Sequence, residues 1–296
     1  MQKQTITYYS EGHVIVGDLY LPDGLDLAKK HPAILQCQGF TGIRDMVQPE
    51  FARYFTDAGY VALAIDYRGW GDSGGERGRL APLEQVDDVR NGLTWLETRD
   101  FVDPDRLGIF GASFGALIAP YVAALDARVK AHVGMVGVSN GYEAVTNKRT
   151  PAQMREWEIK VAEARRRRVL SNEVDRTLRV MDVFVDEQSM AWEPAMWEAV
   201  PKWRNYFGFD SIGRVMDFRP VDLIHKVAPR ASGMIIANND DTGSPVSYRE
   251  LFDAAREPKQ LFAYDCGHYD MYAGELMDKA MADAVGFFRQ HLRARP

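Results

Sequence analysis

LGIFGASFGAL, residues 107–117, is the stretch whose reading decides the fold. Leu107 to Phe110 is a short apolar run of strand character, and Ala116 to Ala124 is small and apolar enough for a buried helix. Between them lies Gly111-Ala112-Ser113-Phe114-Gly115. A strand that reverses abruptly into a helix holds the residue at the bend at positive φ, and side chains two positions to either side would collide unless each is a hydrogen. Glycine at 111 and 115 relieves that collision. The Ser113 hydroxyl then stands clear of the sheet, and the Phe114 N–H points into the same space from the helix N-terminus. Such a serine is either a nucleophile or an ordinary turn residue, and its partners elsewhere in the chain decide which.

Outward from this bend the chain alternates short apolar runs with longer amphipathic ones, the pattern of βαβ units around a mostly parallel sheet. TITYY and HVIVGDLYLP read as an opening hairpin, and AILQ (33–36) and VALAID (61–66) as buried strands with a helix over 48–58 between them. Leu83, Val86, Val89, Leu93 and Leu96 share one helical stripe. The turn DPDR (103–106) then leads into the strand at Leu107. VKAHVGMVGV (129–138), GMIIAN (233–238) and QLFAY (260–264) are further strands, with helices over 246–255 and through the C-terminal segment, where Leu276, Ala280, Met281, Ala284, Val285 and Phe288 share a face. From Asn140 to Arg214 the rhythm gives way to polar, helical stretches punctuated by Pro151, Pro194 and Pro201, with VFV (183–185) as the one strand candidate. The expected architecture is α/β, with a mostly parallel central sheet flanked by helices. Residues 1–139 and 216–296 form the core, and 140–215 form a helical cap inserted after the sixth strand.

A chain of 296 residues can bury a sizeable core. Its net charge of −6 offers nothing global to attract nucleic acid or an anionic membrane, so neither is expected as a partner. The basic run Arg165–Arg168 winds right round a helix and reads as a solvated or salt-bridged surface. No apolar run approaches the roughly 18 residues of a membrane span. The start, MQKQTITYYS, lacks the order of a secretory signal. Two cysteines, Cys37 and Cys266, suggest neither a disulfide framework nor zinc-ligand spacing. A cytoplasmic protein acting on a small molecule is expected, with self-association left open.

A serine hydroxyl needs a base, and the base an orienting carboxylate. Of six histidines, His13, His31, His132, His225 and His291 read as structural or surface residues. His268 lies in YDCGHYDMY, between the last strand and the last helix, where a residue emerges at the carboxyl end of the sheet. The loop NNDDTGSP opens toward the same edge and offers two carboxylates. Asp241, four residues before the helix-opening Pro245, is the preferred partner, with Asp240 as the alternative. Acyl transfer also needs donors for a developing oxyanion. In QCQGFTG (36–42) the glycine-flanked backbone offers the Phe40 N–H to join that of Phe114. Trp192, Trp197, Trp203 and Tyr206, in the aromatic half of the insertion, are candidates for substrate contact.

With Ser113, Asp241 and His268 in the order nucleophile, acid, base, the chain resembles the α/β-hydrolase fold serine hydrolases. The segments QGF, DYRGWGDSGG, DPDRLGIFGASFGA, DDTGSP and CGHYDMY look like that family's landmarks in their usual sequence. Among its members, the dienelactone-hydrolase-like and prolyl-oligopeptidase-like esterases and peptidases are the most similar. Two departures stand out: Gln38 occupies a position where many relatives carry histidine, and asparagines occupy the acid loop where glycine is usual. The resemblance implies hydrolysis of a small or medium apolar ester through an acyl-enzyme, with no metal or organic cofactor. A C–C bond hydrolase acting on a β-diketone, a small amidase or peptidase, and a ligand-binding protein without turnover are the alternatives. An aspartate at the bend, as in dehalogenases and epoxide hydrolases of similar fold, is not what this chain carries.

Overall fold

Eight strands build one sheet in the computed structural model, which describes residues 1–293. In chain order the elements are β1 (Gln2–Ser10), β2 (His13–Leu21), β3 (His31–Cys37), α1 (Gln48–Asp57), β4 (Val61–Ile65), α2 (Pro82–Glu97), β5 (Val102–Ala112), α3 (Gly115–Leu125) and β6 (Val129–Met135). Five helices follow: α4 (Gly141–Thr146), α5 (Pro151–Ser171), α6 (Val180–Val183), α7 (Glu187–Ala199) and α8 (Phe209–Met216). The chain then returns to β7 (Ala231–Ala237), α9 (Pro245–Ala254), β8 (Lys259–Tyr264) and α10 (Gly274–His291). Across the sheet the order is β1-β2-β4-β3-β5-β6-β7-β8. The β1–β2 and β2–β4 pairs are antiparallel, and every later pair is parallel. The chain is thus a doubly covered parallel sheet fronted by a hairpin, as its alternating pattern predicts.

Both faces of the sheet are apolar because helices cover both. On one face Val86, Val89, Leu93 and Leu96 of α2 and the small residues of α3 pack against Leu35, Leu63 and Ile109. On the other, Phe51 and Phe55 of α1 and Ala280, Met281, Ala284 and Phe288 of α10 cover Ile34, Phe110 and Val133. Each fully buried large aliphatic or aromatic side chain contributes about 1.5–3 kcal/mol, so these stripes dominate the stability of the layers. His132, inside β6, is fully buried. Burial pushes its imidazole down to about 3, and Nε2 lies 3.0 Å from the Ser232 hydroxyl on β7. It is a neutral, hydrogen-bonded core histidine.

Several boundaries differ from expectation. β5 begins at Val102, because the ladder to β3 pairs His31 with Val102 and resumes at Ala33–Leu107. DPDR is therefore an irregularity within the strand rather than a turn before it. β6 stops at Met135, since Val136 turns to φ +49°. VFV is not a strand: Val183 closes α6 and Phe184 follows it as coil. The arginine run lies on α5 as a surface, with Arg168 paired to Glu76 and Arg167 to Glu173. Among the described residues no helix is long and apolar enough to cross a membrane.

Candidate active site

Ser113 occupies the bend between β5 and α3 with φ of +55°. A Cβ on Gly111 would lie 2.0 Å from the Gly115 carbonyl oxygen, and one on Gly115 would lie 2.3 Å from that of Cys37. The two glycines are thus a steric requirement of the bend, as the sequence implies. The Ser113 N–H donates to the Met135 carbonyl at 2.9 Å, which pins the bend to the end of β6.

His268, 2% exposed, stands over the bend with Nε2 3.1 Å from Ser113 Oγ. Its Nδ1 lies 2.8 Å from Asp240 Oδ2. Nδ1–H donating to that carboxylate leaves the Nε2 lone pair facing the serine hydroxyl. The expectation for Asp241 is corrected here: its side chain is 69% exposed and paired with Lys148 at 3.1 Å, whereas Asp240 is buried against the imidazole. Counting back from Pro245 misplaces the acid because the strand sets its position. The Asn238 and Asn239 N–H groups still donate to the Tyr264 and Cys266 carbonyls, so Asp240 is the first residue beyond the ladder. Its Oδ1 then accepts the Gly243 N–H at 2.6 Å, turning the loop back over itself.

The loop after β3 runs beside Ser113, since a Cβ on Gly39 would sit 3.5 Å from that of the serine. The N–H groups of Phe40 and Phe114 have no acceptor among the described residues. The loop is held by buried Arg44, whose N–H donates to Asp66 Oδ1 at 2.7 Å. The Arg44 guanidinium pairs with Asp66, with Asp72 at 2.6 Å and with Asp18 at 3.2 Å. Burial pushes the Asp66 carboxyl above its usual range. Arg44→Met leaves buried Asp66 without its counter-charge and Asp18 with Lys3 alone, 3.4 Å away, and a loss of about 3–5 kcal/mol in urea unfolding is expected.

Two cavities meet at Ser113. The larger, about 550 Å³, is bounded by Phe40, Met46, Phe184, Trp192, Trp203 and Tyr272 among others. The smaller, about 290 Å³, runs past His268 between Phe114, Leu117, Val138 and Ala144. Neither lining includes a carboxylate, a lysine or an arginine. Of the four aromatic candidates, Trp192 and Trp203 line the larger cavity, and the Trp203 indole N–H donates to the Thr41 carbonyl at 3.0 Å. Trp197 and Tyr206 do not reach it: Trp197 packs on the Trp203 ring at 6.4 Å and on Tyr206 at 6.1 Å, and Tyr206 is 43% exposed. They fasten the insertion rather than face the serine. Sequence reasoning missed Phe184, Tyr269 and Tyr272. The tyrosines had a signal, since positions one and four beyond His268 fall on the same short helical turn. Burial pushes the Tyr272 phenol well above its usual range, so it stays a neutral donor, 3.5 Å from His268 Nε2. Among the described residues no group of three or more His, Cys, Asp or Glu side chains is arranged to hold a metal.

The sheet order, the bend and the loop positions define an α/β hydrolase. The crystal structure of the α/β hydrolase GrgF from Penicillium sp. sh18 superposes with a TM-score of 0.84 over 99% of both chains at 19% identity. More narrowly, residues 11–270 match the X-Pro dipeptidyl-peptidase (S15) family, and the chain belongs to that family. It is 31% identical over 268 residues to an uncharacterized 31.7 kDa protein of the traX-finO intergenic region of Escherichia coli, covering 89% of this chain and 92% of that one. A thiohydrolase of Eupenicillium brefeldianum is 28% identical over 255 residues, covering 82% and 81%. The chain is therefore an enzyme, a hydrolase of the α/β type.

Proposed function

We propose that the enzyme hydrolyses small or medium, uncharged, apolar acyl esters or thioesters through a covalent acyl-enzyme on Ser113. The observation that carries this reading is the chain Ser113–His268–Asp240, with links of 3.1 and 2.8 Å, set at the junction of two cavities without charged walls. His268 Nε2 takes the hydroxyl proton as Oγ attacks the acyl carbon, and Asp240 stabilises the imidazolium that results. The Phe40 and Phe114 N–H groups receive the oxyanion. The Nε2 proton passes to the leaving oxygen or sulfur, and water then repeats the cycle on the acyl-enzyme. Leaving-group departure belongs on the His268 side, toward the smaller cavity, and the acyl chain in the larger. The helices between β6 and β7 act as a cap that keeps the acyl chamber dry.

A peptidase of the kind named by the family removes a dipeptide bearing a free ammonium. Burying that ammonium without an acid is costly. No carboxylate lines either cavity, and the buried acids of the insertion point elsewhere: Asp175 accepts from the Thr177 hydroxyl and the Phe209 N–H, Asp186 accepts from hydroxyls, and one Glu193 oxygen accepts from Asn205. The uncharged lining favours acyl groups over peptides. A panel of p-nitrophenyl esters of graded chain length, matched acyl thioesters, a β-diketone and an X-Pro dipeptide anilide tests the reading. The highest kcat/KM is expected on a medium-chain ester or thioester. A higher value on the anilide or the diketone overturns it.

A further inference from the structure

The first turn of α7 reaches both loops that carry the base and the acid. Asp186, which caps α7, accepts the Ser189 N–H at 2.9 Å, as an ordinary capping carboxylate does. It also accepts the Ser189 hydroxyl at 2.7 Å and the Thr242 hydroxyl at 3.0 Å. Thr242 lies two residues beyond Asp240. Because the Ser189 proton is committed to Asp186, the Tyr269 hydroxyl, 3.1 Å away, donates to Ser189 Oγ. Tyr269 is the residue after His268, and its ring stacks on Trp192 of α7 at 4.8 Å. All the hydroxyl donors of this buried group therefore run toward one carboxylate. Beside it the Gln188 side chain accepts the backbone N–H of His268 itself at 2.9 Å. A Cβ on Gly267 would lie 2.1 Å from the Gln188 amide nitrogen, so the glycine before the base is what lets the amide lie across that peptide.

We infer that Asp186 and Gln188, on a helix outside the hydrolase core, are positioning residues that hold the His268 and Asp240 loops in register with Ser113. The inference rests on the acyl-enzyme reading above and deepens it. His268 must make two hydrogen bonds at once, and its ring can do so only where the loop backbone puts it. Its own loop is a bend and a single short turn, whereas α7 supplies a carboxylate hub to one loop pair and an amide to the base's own peptide. The inserted helices thereby contribute to the chemical step as well as enclosing the substrate. A displacement of about 1 Å at a reacting group costs about 10²-fold in rate.

The test uses the full-length enzyme with a p-nitrophenyl ester and a fluorophosphonate probe, comparing Asp186→Asn, Gln188→Ala and the exposed neighbour Glu187→Gln. Asp186→Asn and Gln188→Ala are expected to lower kcat by about 10- to 100-fold, with KM changed less than about threefold and with a parallel fall in the rate of Ser113 labelling. Glu187→Gln is expected to match wild type. A helix that only covers the site would raise KM and leave the labelling rate of the folded protein alone, and that result overturns the inference. So do kcat and labelling rates within about threefold of wild type in both variants. If Asp186→Asn does not fold, Gln188→Ala, which removes one hydrogen bond, decides the matter by the same criteria. Failure of the wild-type enzyme to label overturns the acyl-enzyme reading and this inference together, whereas normal wild-type labelling with unaffected variants overturns this inference alone.

Discussion

Asp240→Asn is expected to lower kcat by about 10⁴-fold while Asp241→Asn leaves it within about twofold. The two side chains are neighbours in sequence and opposite in environment. Asp240 is 7% exposed, and its two oxygens accept from His268 Nδ1 and the Gly243 N–H. An asparagine there can keep the loop folded by presenting its oxygen to Gly243. Its amide then faces Nδ1 as a donor, which selects the imidazole tautomer that carries its proton on Nε2 and has no lone pair for Ser113. Rate falls far more than stability. Asp241 has only its surface pair with Lys148 to lose, a contact of about 0–1 kcal/mol. Steady-state kinetics on the two variants, with urea unfolding as the control for folding, checks both halves. Loss of turnover in Asp241→Asn with Asp240→Asn active would reassign the acid.

Ser113 carries the second large effect, and its sign differs between rate and stability. On the proposed acyl-enzyme reading, Ser113→Ala is expected to reduce kcat by about 10⁶-fold, because the histidine and the oxyanion donors would then have no nucleophile to serve. Ser113→Gly should be equally inactive and yet more stable than wild type by about 1 kcal/mol, since a non-glycine residue held at φ +55° is strained and glycine is not. An inactive Ser113→Gly with a raised urea midpoint is the expected outcome. A lowered midpoint would mean that the serine is placed by packing rather than held at a strained bend.

The core was legible because its signals are local. Gly111 and Gly115 are dictated by backbone contacts within one turn, and His268 by its place between a strand and a helix, so a sequence can display both. Asp240 was harder, because which of two adjacent aspartates turns inward depends on how far the β7 and β8 ladder runs, a fact held by Tyr264 and Cys266 as much as by the acid loop. The insertion was least legible. Trp192, Trp197, Trp203 and Tyr206 look alike in sequence, yet only the first and third line the cavity, since α7 and the segment after it pack on each other before they pack on the core. Phe184 falls in the one strand candidate of an otherwise helical insertion, and Gln188 carries no signal, because its partner is a backbone N–H some 80 residues away.

Covalent labelling of Ser113 tests the central claim most directly. With a fluorophosphonate probe and intact-mass analysis, the folded wild-type chain is expected to gain one adduct, mapped to the peptide containing Gly111–Gly115, and Ser113→Ala is expected to gain none. A folded wild-type protein that stays unlabelled, or an adduct that persists in Ser113→Ala, would contradict the account.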